Sequence, residues 1–184
     1  MKNLVIGLGN IGERYENSRH NIGFNLIDKI FDDLGKVEKI KGSFRGDLYK
    51  FEENMFLKPA TYMNLSGESV ELVLKDFDFE KIIIIHDDLD LPFGALKFKI
   101  GGGNGGHNGL KSMNDEVQKN SIRIRMGIGK PENGDISDFV LSKFSKSESE
   151  HLENWLELGK DAILEILSGE TVEKVASLKT RKKI

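Results

Sequence analysis

Three residues have types and positions suited to proton transfer: His20, Asp87 and His107. Asp87 follows the apolar run Ile82-Ile83-Ile84-Ile85, and Asn10 follows Leu4-Val5-Ile6 in the same way. Groups just beyond apolar strands gather at the carboxyl ends of open α/β sheets, so Asn10 and Asp87 are expected at one crevice. His20 and His107 lie in Gly/Asn-rich loops beside these residues. A histidine held by an aspartate is a good general base, because the carboxylate favours the imidazolium that forms. Asn10, Asn64 and Asn108 can both donate and accept, which suits orienting a water or a carbonyl.

Other chemistries have weaker support. His86, Asp87, Asp88 and Asp90 cluster in the manner of metal ligands, but neighbours on a strand end point in different directions and no H-E-x-x-H spacing occurs. Serine hydrolase chemistry lacks a G-x-S-x-G elbow, and Ser66 sits in N-L-S-G. The absence of cysteine excludes disulfides, thiolate metal sites and a cysteine nucleophile, and fits a reducing cytoplasm. His151, at the start of an amphipathic stretch, has no chemical company.

The elements that must position these groups are readable from periodicity. Gly101-Gly102-Gly103-Asn104-Gly105-Gly106-His107-Asn108-Gly109 is a loop whose backbone can take positive φ and approach a ligand closely. Helical spacing then runs through Leu110, Met113 and Val117, with Asn108 as a candidate N-cap. Gly7-Leu8-Gly9-Asn10-Ile11-Gly12 matches the dinucleotide fingerprint, but the polar stretch that follows has no helical stripe. That stripe starts after Asn21, at Leu26, Ile27, Ile30, Phe31 and Leu34, and Gly35 stops it.

Strands are expected at Phe44–Phe51 and Met55–Lys58 around the turn Glu52-Glu53-Asn54, with Pro59 ending the second. A helix after Gly67 shows Val70, Val73, Leu74 and Phe77, with Asn64 or Ser66 as possible N-cap. Ile82–Ile85 reads as a strand covered on both faces. Leu96, Phe98 and Ile100 alternate with Lys97 and Lys99. Ile122, Ile124, Met126 and Ile128 alternate with Arg123 and Arg125, so both arginines share a face, and a solvated edge suits Arg123 more readily than Arg125. Ser147-Glu148-Ser149-Glu150 has the capping-box pattern before a helix striped by Leu152, Trp155, Leu156, Ile163, Ile166 and Leu167 and ended by Gly169. Trp155 belongs in the core. Residues 179–184 form a charged tail expected to be mobile.

The 184 residues suit one domain with a full core. No apolar run approaches the roughly 20 residues of a membrane span, and no signal peptide is seen. The net charge of −3 is a poor omen for nucleic acid, yet Lys97, Lys99, Lys111, Arg123, Arg125 and Lys130 all flank the Gly-rich loop.

In order along the chain come Gly7-Leu8-Gly9-Asn10, Tyr15-x-x-Ser18-Arg19-His20-Asn21-x-Gly23, Lys58-Pro59-x-Thr61-Tyr62-Met63-Asn64-Leu65-Ser66-Gly67, Asp87-Asp88-Leu89-Asp90-Leu91-Pro92, Gly105-Gly106-His107-Asn108-Gly109-Leu110 and Arg125-x-Gly127-Ile128-Gly129. Over roughly residues 3–145 this combination resembles the bacterial-type peptidyl-tRNA hydrolases. The resemblance implies a single-domain α/β three-layer sandwich, a twisted mixed sheet between helices, spanning 1–184. It implies a cytoplasmic monomer with no cofactor, no metal, no membrane association and no obligate protein partner. The implied reaction is hydrolysis of the ester between an N-blocked peptide and the 3′ ribose of tRNA, without a covalent intermediate.

By matching position, His20 is the proton acceptor for water, Asp87 its stabilising carboxylate, and Asn10 the group distinguishing peptidyl from free aminoacyl-tRNA. Tyr15, Tyr62, Asn64 and Asn108 contact substrate, Met63 and His107 line the crevice, and Lys99 and Arg125 meet backbone phosphates. Ser18 stands where the family usually has threonine, Asp88 where it usually has glutamate, and the asparagine-containing motif near the family's C-terminus is missing. An asparagine-rich pocket with a tyrosine pair and a basic rim suits the CCA end and acceptor stem of tRNA. The competing classes are a nucleotide-binding oxidoreductase, opposed by the missing helix after Gly12, and a non-catalytic RNA-binding module, which needs no His20/Asp87 pair.

Overall fold

The computed structural model describes residues 1–184. In chain order the elements are β1 (Asn3–Gly7), α1 (Ile22–Leu34), β2 (Glu38–Ile40), β3 (Gly46–Phe51), β4 (Asn54–Pro59), α2 (Ser66–Asp76), β5 (Lys81–Asp88), β6 (Leu96–Ile100), α3 (Asn108–Lys111), α4 (Asp115–Asn120), β7 (Ile122–Gly127), α5 (Ile136–Leu141), α6 (Lys146–Ser149), α7 (Leu152–Leu167) and α8 (Val172–Lys179). The seven strands form one sheet in the order β2-β3-β4-β1-β5-β7-β6. Parallel pairing joins β4, β1, β5 and β7, while β2, β3 and β6 run antiparallel to their neighbours. This is the expected mixed α/β sheet between helices.

Alternate side chains leave opposite faces of the sheet, as a two-residue period requires. Val5, Phe56, Ile83, Ile85, Ile124 and Met126 pack with α1, α7 and α8, whereas Leu4, Ile6, Leu57 and Ile84 pack with α2, α3 and α4. Trp155 on α7 is fully buried and donates its indole N–H to Ala95 O at 3.1 Å. Truncating so large a core side chain costs about 3–5 kcal/mol.

The N-terminal glycines serve packing. A Cβ at Gly7 would strike the main chain of Gly23, and one at Gly23 would strike Leu8 and Ile85, so α1 starts hard against the ends of β1 and β5. Between Gly12 and α1 the chain makes two short 3₁₀ turns, Glu13–Tyr15 and Arg19–Asn21, and no helix opens inside the G-x-G-x-x-G run.

Several local expectations change. Asn54 belongs to β4, where it accepts a buried side-chain hydrogen bond from Asn3 at 2.8 Å, leaving Glu52-Glu53 as the turn. The stretch through Leu110, Met113 and Val117 is two short helices, because Asn114 caps α4 by accepting from Val117 N–H. His107, not Asn108, is the N-cap of α3. Neither Asn64 nor Ser66 caps α2, and Ser66 Oγ instead donates to Met63 O. The capping box is Ser145 with Glu148, two residues earlier than expected, because Ser145 has the extended backbone an N-cap needs. Arg123 is not on a solvated edge: β7 lies between β5 and β6, and the side chain is 2% exposed. Beyond α8, Arg181 exchanges two main-chain hydrogen bonds with Leu96, at 2.8 and 2.9 Å.

Candidate active site

β1 pairs with β4 on one side and β5 on the other, so the chain's course across the sheet reverses at β1. A crevice of about 510 Å³ opens at the carboxyl end of this region. Asn10, His20, Met63, Asn64, Asp87, Lys99, His107, Asn108 and Arg125 all line it. Tyr15 and Tyr62 do not. They pair edge to face with each other, ring centroids 6.3 Å apart, and Tyr62 is half exposed. Tyr62 is held at φ 63°, ψ 161°, a conformation costing roughly 1–3 kcal/mol for a side-chain-bearing residue. The next peptide places Met63 N–H 2.7 Å from Asn10 Oδ1.

At the centre Asp87 is shared by two histidines. Its Oδ2 lies 2.7 Å from His20 Nδ1, and its Oδ1 lies 2.7 Å from His107 Nε2. Burial works against a charged carboxylate here, but His20 and His107 outweigh it by charge and hydrogen bonding and hold its pKa well below the ordinary range. The tautomer of His107 follows from its role as a cap. Its Nδ1 accepts from Gly109 N–H at 3.1 Å and, more weakly, from Leu110 N–H at 3.4 Å, so the proton sits on Nε2 and is donated to Asp87. His20 in turn donates from Nδ1 to Asp87, which leaves Nε2 with its lone pair as the available base.

That tautomer bears on metal binding. His20, Asp87 and His107 present ligand atoms within 4.8 Å of one another. A cation there needs an imidazole lone pair from each histidine, and His107 has already spent its one on the α3 cap. The geometry fits a hydrogen-bonded triad better than a metal site. Of the other acids weighed as ligands, Asp88 accepts from Arg125 Nε at 2.8 Å and Asp90 pairs with Lys130 at 3.1 Å.

The positions of Asn10 and His20 depend on Asn21 and Arg19, to which neither motif chemistry nor the resemblance assigns a role. Asn21 accepts from Asn10 N–H and donates to Asn10 O, both at 2.8 Å. This fixes the Asn10 peptide beside the His20 turn. With Oδ1 committed to Met63, Asn10 Nδ2 has no protein acceptor. Arg19 anchors the other side: it donates to Glu148 at 2.7 Å and Ser142 Oγ at 3.1 Å, and its guanidinium lies 4.4 Å from the Phe139 ring centroid. Both residues are adjacent to His20 in the chain, and that adjacency was the only signal available.

His86 stands behind the triad. It is buried, its Nδ1 donates to Asp87 O at 2.9 Å, its Nε2 has no partner, and its ring meets that of His107 at 5.4 Å. Burial first, and then the charge of His107, push its pKa down to about 4.

Against known proteins, the family model described as peptidyl-tRNA hydrolase matches residues 4–184. A peptidyl-tRNA hydrolase of Sulfurovum sp. is 48% identical over 98% of this chain and 97% of its own. One from Wolinella succinogenes is 52% identical over 90% of this chain and 88% of its own. The crystal structure of peptidyl-tRNA hydrolase from Acinetobacter baumannii superposes with a TM-score of 0.89 at 31% identity, covering 99% of this chain and 96% of that one.

Proposed function

The chain belongs to the peptidyl-tRNA hydrolase family and hydrolyses peptidyl-tRNA, and we propose that it does so by general-base activation of water at His20. The observation that carries the proposal is the 2.7 Å contact between His20 Nδ1 and Asp87 Oδ2 in the crevice. His20 Nε2 takes a proton from water as the oxygen adds to the ester carbonyl. Asp87 stabilises the imidazolium that forms, and His107 holds the second carboxylate oxygen so that the first stays aimed at His20. As the tetrahedral intermediate collapses, the 3′ oxygen of the ribose leaves and takes the proton back from His20. The products are the peptide acid and tRNA with a free 3′ hydroxyl.

The remaining crevice groups supply recognition. Asn10 Nδ2 and the exposed amides of Asn64 and Asn108 face the ester and the first peptide unit, and Met63 packs below them. The acyl carbonyl of a blocked amino group can accept from Asn10 Nδ2, whereas a free aminoacyl group offers there only an ammonium, itself a donor. Lys99 and Arg125 meet phosphates of the acceptor stem, and the Tyr15–Tyr62 pair offers a stacking surface to a base of the CCA end. We read residues 1–184 as one catalytic unit acting as a cytoplasmic monomer. No helix is long and apolar enough to cross a membrane.

The test is release of free tRNA from N-acetyl-aminoacyl-tRNA by the metal-free protein and by His20→Ala. Wild type should cleave, and the variant should bind substrate but turn it over 10²–10⁴-fold more slowly, roughly the general-base contribution. A fully active variant would move the base elsewhere.

A further inference from the structure

Arg123 is one of the largest fully buried side chains in the protein, yet it is charged. All its partners are neutral. Nη1 donates to Gly103 O at 3.0 Å, Nη2 to Gly102 O at 3.2 Å and Gln118 O at 2.8 Å, and Nε to Ser121 Oγ at 3.0 Å. No carboxylate pairs with it, whereas its neighbour Arg125 is matched by Asp88. A buried cation surrounded only by dipoles bears its desolvation cost with no countercharge to offset it. Four hydrogen bonds satisfy its donors, but the missing countercharge still needs an explanation.

Two features point to one. The first is what Arg123 holds. Gly101 and Gly102 have φ of 67° and 105°, and this turn brings the Gly102 and Gly103 carbonyls onto one guanidinium. A planar fork of donors can grip both at once, as a lysine ammonium cannot. The second is where its charge is felt. Arg123 sits opposite Lys99 across the β6–β7 ladder, as Arg125 sits opposite Lys97. Lys99 lies over Gly102, where any Cβ would collide with it, and neither Lys97 nor Lys99 has a carboxylate partner. Arg123, Lys99 and Gly103 all line the crevice.

We infer that Arg123 is a positioning residue for substrate phosphate: it clamps the Gly-rich loop from beneath, and an RNA phosphate seated on Lys99 supplies the countercharge that the protein withholds. The inference rests on the reading of Lys99 as a phosphate contact. It explains how a chain of net charge −3 sustains a local positive field, since a buried charge is screened by salt much less than an exposed one.

The experiment compares Arg123→Gln and Arg123→Lys with wild type and Lys99→Ala. Amide hydrogen exchange over residues 101–106 reports the clamp, and KM, salt dependence and single-turnover rate on N-acetyl-aminoacyl-tRNA report its use. Arg123→Gln should speed loop exchange and raise KM roughly tenfold, the scale of one charge-assisted contact. It should lower the salt slope by less than Lys99→Ala does, because Arg123 does not itself touch the phosphate, and leave the rate at saturation unchanged. Arg123→Lys, which keeps the charge but not the planar fork, should recover the salt slope but not the loop protection. If Arg123→Gln fails to fold, Arg123→Lys still separates charge from clamp. Unchanged loop exchange in both variants overturns the inference. Faster exchange with unaltered KM overturns it alone if Lys99→Ala still weakens binding, and overturns the phosphate reading as well if Lys99→Ala does not.

Discussion

Replacing Asp87 by asparagine tests the proposed chemistry at its most constrained point. The carboxylate now accepts from His20 at one oxygen and from His107 at the other, each at 2.7 Å. An amide has one oxygen and one NH₂, so it can satisfy only one of the two histidines as they stand. If the oxygen serves His20, the NH₂ meets the Nε2–H of His107, donor against donor. Relieving that clash means moving the His107 proton to Nδ1, which breaks the hydrogen bonds from Gly109 and Leu110 that start α3. If the oxygen serves His107 instead, the NH₂ meets Nδ1 of His20 and draws its proton to Nε2, and the base is lost.

The imidazolium also loses its counter-charge. Two unit charges about 4 Å apart at an effective dielectric near 20 interact by about 4 kcal/mol, or roughly 10³ in rate. Asp87→Asn should therefore cut single-turnover ester cleavage by roughly 10³-fold while substrate affinity survives, and should move the acidic limb of the rate–pH profile to lower pH. The double variant with His20→Ala should be little worse than His20→Ala alone, since a carboxylate with no base to orient has nothing to do. The assay is single-turnover cleavage of N-acetyl-aminoacyl-tRNA across pH for all three proteins. Near-wild-type rates in Asp87→Asn, or multiplicative losses in the double variant, would refute the reasoning.

Three further outcomes are expected. His86 is depressed to about 4 in the folded protein against an ordinary 6.5, so its contribution is intact above pH 6.5 and is lost as pH falls toward 4. Urea unfolding at pH 7 and 4.5 should show a loss on the order of a few kcal/mol from this group, missing in His86→Gln, and equal pH dependence in the two proteins would contradict it. Binding of tRNA should weaken with salt despite the net acidity, and Lys99→Ala and Arg125→Ala should each reduce the slope by roughly 0.7–0.9, whereas binding that ignores salt would mean the basic rim is misplaced. Exhaustive chelation should leave turnover intact on a short acylated minihelix, a substrate chosen because it limits magnesium effects on tRNA folding; loss restored by a divalent ion would favour a cation at His20, Asp87 and His107.

Local rules carried the sequence reading a long way. The unbroken Ile82–Ile85 run marked a strand buried on both faces, Gly35 marked the end of α1, and the polar stretch after Gly12 argued against dinucleotide binding. Each depends on short-range physics: side-chain periodicity, positive φ, or the need of a helix for an apolar stripe. The same rules failed where two local signals competed. Ser145 and Ser147 both begin a capping-box pattern, and only the backbone conformation of Ser145 chose between them. Leu110, Met113 and Val117 share helical spacing, yet Asn114 interrupts them by capping a new helix.

The sequence by itself determined which groups were available to do chemistry, since histidine, aspartate and asparagine side chains beyond strand ends have few other uses in such number. Tertiary structure decided how they are joined. Asp87 lies 67 residues from His20 and 20 from His107, and nothing local says that one carboxylate serves both. Arg123 and Arg125 share a face of one alternating strand, and only the fold of the Gly-rich loop and α4 over that face buried the first, while the second reaches Asp88 on β5. Periodicity names the face a side chain takes, but burial and partnership depend on which strand comes to lie alongside, and that is settled by packing across the whole sheet.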